Sequence, residues 1–140
     1  MFIKQLSVFV ENKPGRLNAI VERLADAGVN LRALSIADTT DFGILRAIVD
    51  DNDKARRVLA EIGVVSKTTD VVAVYVDDQA GGLASVLNAV SDAGIGIEYM
   101  YAFLGRTHGK ALMVLKADDE EALEGVLTSH GVELANPQDI

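Results

Sequence analysis

The sequence predicts an α+β protein built from two ferredoxin-like βαββαβ units. Three observations carry that expectation. The chain repeats itself over essentially all of its 140 residues. Each repeat passes from strand-type alternation to helix-type spacing and back in the same order. Each repeat also enters its first helix from a glycine-bearing turn, ENKPGRL at 11–17 and DDQAGGL at 77–83.

The repeat is seen by placing Gly15 on Gly81. Val8 then meets Val74, Val10 meets Val76, and Leu17 meets Leu83. DAGVNL at 26–31 meets DAGIGI at 92–97. Past Asp53 and Asp119 the second copy gains two residues, so that Val58-Leu59 meets Val126-Leu127 and Gly63-Val64 meets Gly131-Val132.

In the first copy, Leu6, Val8 and Val10 alternate as a strand does. Leu17, Ile20, Val21 and Leu24 keep the spacing of an amphipathic helix, which Gly28 ends. VNLRALSIA is the second strand and DTTDFG a hairpin turn. ILRAIV, apolar on both faces, is the third strand and central. DNDKARRVLAEIG is the second helix, with Ala55, Val58, Leu59 and Ile62 on its buried face. Its counterpart opens with Asp118 as cap and Glu121 three residues on, the pattern of a capping box. VVS at 64–66 and VEL at 132–134 are short final strands.

The unit boundary falls near Lys67, giving units 1–67 and 68–140. The second strand of each unit is an edge, and bare edges invite pairing. NLRALSI and GIEYMYA are therefore expected to join the units side by side into an eight-stranded antiparallel sheet with helices on one face. Only SKTTD separates VVS from DVVAVYV. A hairpin there exchanges the final strands, with VEL closing the first unit. Phe9, Ala73 and Tyr75 lie on the other strand face, which suggests an apolar contact and a homodimer.

Composition narrows the function. Hydrophobic residues make up 49% of the chain, enough to bury a core, and no apolar run reaches the roughly 18 residues that span a bilayer. The N-terminus alternates too strictly for a signal peptide, so a cytoplasmic protein is expected. There is no cysteine, which removes thiolate catalysis and Cys-ligated zinc. The net charge of −8, with basic residues scattered, argues against nucleic acid as a partner. GRTHGK at 105–110 lacks the spacing and the Ser or Thr of a phosphate loop, and is read as a turn. His108 and His130 have no third ligand residue nearby. No nucleophile motif is present, and neither metal nor cofactor is expected.

The two glycine turns are the sites of interest. Amides at a helix start have no internal partner and carry partial positive charge, so a carboxylate or phosphate can dock there. Gly15 and Gly81 permit close approach to the backbone. A plain turn before a helix explains one such stretch as well, but less easily two in the same phase.

ENKPGRL followed by DAGVNL resembles the ACT-domain signature, and the whole chain is similar to stand-alone tandem ACT proteins. The resemblance implies a non-enzymatic regulatory protein that binds an amino acid or related metabolite. It implies no membrane partner, and it makes a metabolic enzyme a candidate partner. It places ligands where the glycine turn of one domain faces the second strand of its neighbour. The implied ligand-binding residues are Asn12, Lys13, Pro14, Gly15, Arg16 and Leu17, with Ile97, Glu98 and Tyr99. The reciprocal set is Asp78, Gln79, Ala80, Gly81, Gly82 and Leu83, with Asn30 and Leu31. The second turn departs from the signature, with Ala80 for proline and Gly96 where the first unit has Asn30. Asn30, strand carbonyls or Glu98 offer the cation site that an amino acid needs. Tyr99, Tyr101 and Phe103 alternate on one strand face and either wall a pocket or pack. Two other readings stay open: an interaction module without ligand, and a small ferredoxin-like enzyme.

Overall fold

The structure, a computed structural model, describes residues 1–38, 41–105 and 109–140. The turn around Thr39-Thr40 and the Arg106–His108 part of GRTHGK lie outside the described residues. The elements are β1 (Ile3–Glu11), α1 (Arg16–Asp26), β2 (Leu31–Asp38), β3 (Phe42–Val49), α2 (Asn52–Glu61) and β4 (Ser66–Asp77). They continue with α3 (Gly82–Asp92), β5 (Ile97–Ala102), β6 (Lys110–Ala117), α4 (Glu120–Ser129) and a short 3-10 turn at Pro137–Asp139. The chain divides into two units, Lys4–Thr69 and Asp70–Ile140, the latter including Met1–Ile3. Among the described residues no helix is long and apolar enough to cross a membrane.

In the first unit β3 is central, pairing antiparallel with β1 from Leu6↔Ala47 to Glu11↔Phe42 and with β2 from Leu31↔Val49 to Asp38↔Gly43. In the second unit β6 holds the same place between β4 and β5. One strand face of each unit meets its two helices. Leu6, Val8 and Val10 pack with Ile20, Leu24, Val58 and Leu59 in the first. Val72, Val74 and Val76 pack with Val86, Val90, Leu123 and Leu127 in the second. Period-two and period-3.6 apolar spacing meet in these cores.

Among the described residues six strands are present where eight were expected. VVS and DVVAVYV do not form a hairpin: Ser66–Asp77 is one continuous strand of 12 residues. The stretch SKTTD holds no glycine, proline or asparagine, and its paired threonines favour extended chain. VEL is not a counted strand. It is held to β4 of its own unit by a single bridge, Val74↔Leu134, flanked by Tyr75 N–H to Glu133 O at 2.9 Å and Ala135 N–H to Ala73 O at 2.9 Å. In the first unit, Phe9 N–H donates to Val65 O at 3.3 Å in the equivalent way. Each unit therefore closes on its own last segment, and the expected exchange does not occur. β2 and β5 are the outer strands of the order β2-β3-β1-β4-β6-β5, so the expected pairing of these two edges, and with it the eight-stranded sheet, is not formed.

Smaller corrections follow from helix ends. The cap of α4 is Asp119, not Asp118: its Oδ1 accepts from Ala122 N–H at 3.0 Å. Asp51 does the same for α2, accepting from Lys54 N–H at 3.1 Å. Ile62 lies past the end of α2 and is 46% exposed, so it leaves the buried face assigned to it. Of the three residues read as an apolar contact surface, Phe9 is 55% exposed, Tyr75 is half-buried and Ala73 is fully buried.

Glu120, at the start of α4, accepts from Ala117 N–H and lies 3.8 Å from Lys116 Nζ. Burial nevertheless holds its carboxyl above the ordinary carboxylate range. Glu98 and Asp70 push the same way, while the Ala117 amide and Lys116 oppose. The folded state thus keeps this proton to a higher pH than the unfolded chain. Stability falls as pH rises from the unfolded pKa through the folded one, and the penalty is absent below both.

Two outcomes are expected. Leu127→Ala, which truncates a fully buried side chain, should lower unfolding free energy in urea by about 2–5 kcal/mol. Glu120→Gln should become progressively more stable relative to the parent from about pH 4 to pH 7. A difference in urea midpoint that stays constant over that range would contradict the burial account.

Candidate functional site

The two turns are built alike, bond for bond. In the first, Asn12 N–H donates to Asp41 O at 3.0 Å, Lys13 N–H to Glu11 O at 2.8 Å and Arg16 N–H to Lys13 O at 3.2 Å. In the second, Asp78 N–H donates to Gly109 O at 3.3 Å, Gln79 N–H to Asp77 O at 2.8 Å and Gly82 N–H to Gln79 O at 3.0 Å. Gly15 and Gly81 close the turns in the left-handed region, with φ of 85° and 87°. No side chain caps either helix. The amides of Gly15, Leu17 and Asn18, and of Gly81, Leu83 and Ala84, have no protein partner among the described residues. A Cβ built on Gly15 or Gly81 meets nothing within 4 Å, so the space beside the turn is open.

Three cavities adjoin these turns. A small one of about 160 Å³ takes Asn12, Lys13 and Leu17 of the first turn, with Ile36 and Gly43 behind them. A larger one of about 580 Å³ lies on the other flank of β1 and takes Arg16. In the second unit a cavity of about 510 Å³ takes Gln79, Ala80, Gly81 and Gly82, with Tyr75, Lys110 and His130. Pro14 and Gly15 are exposed beside the first turn and Asp78 beside the second, while Leu83 is half-buried against the second core.

The strand residues stand elsewhere in their own units. Leu31 pairs with Val49, at the opposite end of β3 from Phe42, which faces the first turn through Glu11. Ile97 pairs with Ala117, again opposite to the Asp77↔Lys110 end. Seven residues of strand separate these ends, about 23 Å. The structure of a single unit therefore does not bring its turn and the start of its second strand together. Asn30 is exposed, and its N–H donates to Asp50 Oδ1 at 3.0 Å. Register shifts fall at Arg32 and Glu98, the same position in the two repeats. Glu98 adds its charge against Glu120. Tyr99 stacks on Tyr101 at a centroid distance of 6.5 Å, with Tyr101 buried. Burial, with Asp139 and Glu133, pushes the Tyr75 hydroxyl above its usual range.

Sequence reasoning missed Arg23, Phe42 and residues 62–65 around the 580 Å³ cavity, and read Phe9 only as part of an apolar contact surface. Periodicity assigned Ile62 and Val65 to a helix face and a strand, where an apolar residue needs no other explanation. Among the described residues no group of three His, Asp or Glu is placed to hold a metal ion.

Comparison with known proteins agrees with this architecture. The structure of protein BT0572 from Bacteroides thetaiotaomicron is 41% identical, covers 99% of this chain and 95% of its own, and superposes with a TM-score of 0.92. The regulatory subunit of aspartate kinase from Thermus thermophilus shares the fold at 17% identity, with coverage of 89% and 90% and a TM-score of 0.62. That from Thermus flavus does so at 17% identity, with 90% coverage of each chain and a TM-score of 0.57. Among curated proteins no match is found. The family model for an ACT domain pair matches residues 1–140, and the chain belongs to that family.

Proposed function

We propose that this chain is a non-enzymatic sensor that binds a small carboxylate-bearing metabolite, an amino acid foremost, at its glycine turns. One observation carries the reading: both first helices start from a left-handed glycine with no side-chain cap, leaving outward amides free. Such a start favours an anion through hydrogen bonds and through the helix dipole. Membership of a regulatory family supports the same reading, and so do structural relatives described as regulatory subunits of aspartate kinase. A metabolic enzyme whose activity follows the metabolite is the partner this implies.

A carboxylate on the turn leaves the rest of the molecule in need of a second wall. Within one unit the start of the second strand is too distant to supply it. We assign that wall to a second copy of the chain, docked through an edge strand, with Ile97, Glu98 and Tyr99 meeting one ligand and Asn30 and Leu31 the other. The first turn holds the ligand more tightly, because Pro14 restricts the backbone where the second turn has Ala80.

Calorimetric titration with a panel of free amino acids tests the reading. Gly15→Val should abolish binding at the first turn in a protein that still folds, with its stability lowered by about 1–2 kcal/mol. The turn is exposed and the space beside it open, but φ of 85° strains any β-branched residue there. Undiminished affinity in a folded Gly15→Val protein would reduce the turn to a helix start. Asn30→Ala should weaken ligand held at the second turn by roughly 1–3 kcal/mol. Light scattering at micromolar concentration should give the mass of a dimer. A monomer that binds with full affinity would remove the second copy from the site.

A further inference from the structure

The cleft beside β1 in the first unit takes only Arg16 from the glycine turn's residues 12–17. It runs between α1 and the segment Ile62–Val65 and has a volume of about 580 Å³, within the usual range for small-ligand cavities. Its walls carry four large apolar side chains left to solvent: Phe9 at 55% exposure, Phe42 at 53%, Ile62 at 46% and Val65 at 66%. Exposed apolar side chains scattered singly need no explanation, but four around one concavity do.

The repeat supplies an internal control. The second unit has a cleft in the equivalent place, of about 510 Å³. There Tyr75 stands for Phe9, His130 for Ile62 and Glu133 for Val65. Fold geometry alone therefore makes the cleft but does not make it apolar. The second cleft also carries its own ammonium: Lys110 Nζ lies 3.5 Å from Glu133 and 3.9 Å from Asp77. By strand register the residue equivalent to Lys110 in the first unit is Phe42, since Glu11 faces Phe42 as Asp77 faces Lys110.

Charge decides what the first cleft accepts. Arg23 is already engaged, with its Nε donating to Val58 O and its guanidinium paired to Glu61. Arg16 leans on Glu11, at 4.0 Å. Two carboxylates on the same wall, Glu22 and Asp26, have no cationic partner among the described residues; Glu22 accepts only from Asn18. Asp26 is the last residue of α1, where the negative end of the helix dipole adds to its charge. An anion would meet both carboxylates. A cation would neutralise them.

We infer that this cleft binds a small primary ammonium compound with an aryl or branched alkyl body, the body on Phe9, Ile62 and Val65 and the ammonium at Glu22 and Asp26. The test is a titration of the ¹⁵N-labelled full chain with 2-phenylethylammonium, 2-phenylethanol and 3-phenylpropionate in parallel. The expected result is saturable shifts at Ala19, Asp26, Gly63 and Val65 with the cation, and affinity lower by about three- to tenfold for the neutral alcohol and for the anion. Asp26→Asn with Glu22→Gln should bring the cation down to the level of the alcohol. Val65→Asn at an exposed position, and Ala19→Phe filling the cleft from α1, should each remove saturable binding of all three probes from a folded protein. Equal or tighter binding of the anion would overturn the assignment. So would shifts confined to residues 12–17, no saturable shift at all, or unchanged binding in both Val65→Asn and Ala19→Phe. None of these variants touches the Gly15 amides, so loss of amino-acid binding at the turn is read separately.

Discussion

Each unit depends on one backbone conformation, the left-handed residue between its first strand and first helix. The strand must turn onto the sheet face within four residues. Two short-range bonds do this, Lys13 N–H to Glu11 O and Arg16 N–H to Lys13 O, and their geometry forces the residue between them to positive φ. A side chain there costs about 1–2 kcal/mol, so glycine occupies both positions. The same conformation puts a backbone hinge where a capping side chain otherwise stands. The second helix of each unit shows the alternative. Asp51 and Asp119 are extended, and each closes its helix with its own carboxylate. Each unit therefore has one sealed helix start and one open one. The open one is the feature with chemistry to offer.

How much of this was legible in the sequence depended on which forces set each feature. The repeat, the element order and the two cores rest on burial. Burial leaves a periodic trace, as in Val8 and Val10 against Ile20 and Leu24. The turns were legible because positive φ selects glycine almost alone. The join between the units was not. VVS, SKTTD and DVVAVYV read as two strands and a turn because each part is a plausible length, yet no residue in SKTTD breaks extended backbone. The cap of α4 slipped by one because Asp118 and Asp119 are chemically identical and only the helix start at Glu120 separates them.

The candidate site was legible at the turns and illegible around them. Asn12, Lys13 and Leu17 do share a cavity, whereas Asn30 and Leu31 stand at the far end of the same unit's sheet. Spacing along a chain says which face a residue takes but not which end of a sheet it shares with another segment. Ile62 and Val65 escaped for a different reason. An apolar residue at a strand or helix end fits a core pattern equally well whether it points in or out, and only the end of α2 at Glu61 settles the direction.

Comparing the two repeats separates what the fold demands from what it merely permits. Val8 and Val74, Val10 and Val76, Leu24 and Val90 are buried in both units, since a polar group at those positions would lose its hydrogen bonds to water. Phe9 and Tyr75, Ile62 and His130, Val65 and Glu133 carry no such demand, because each pair lies at a cleft open to solvent. A polar residue at such a place is neutral to folding, and an apolar one forgoes the roughly 25 cal/mol per Å² that covering it would gain. The second unit has a more polar residue at each of the three positions and sets Lys110 beside Glu133 and Asp77. The first has an apolar residue at every one of the three positions and Phe42 in place of the lysine. Folding does not account for that difference, since both cores are complete without it. An occupant that covers the apolar wall does, and the carboxylates of Glu22 and Asp26, without a cationic partner among the described residues, give that occupant the sign of the charge Lys110 carries in the second unit.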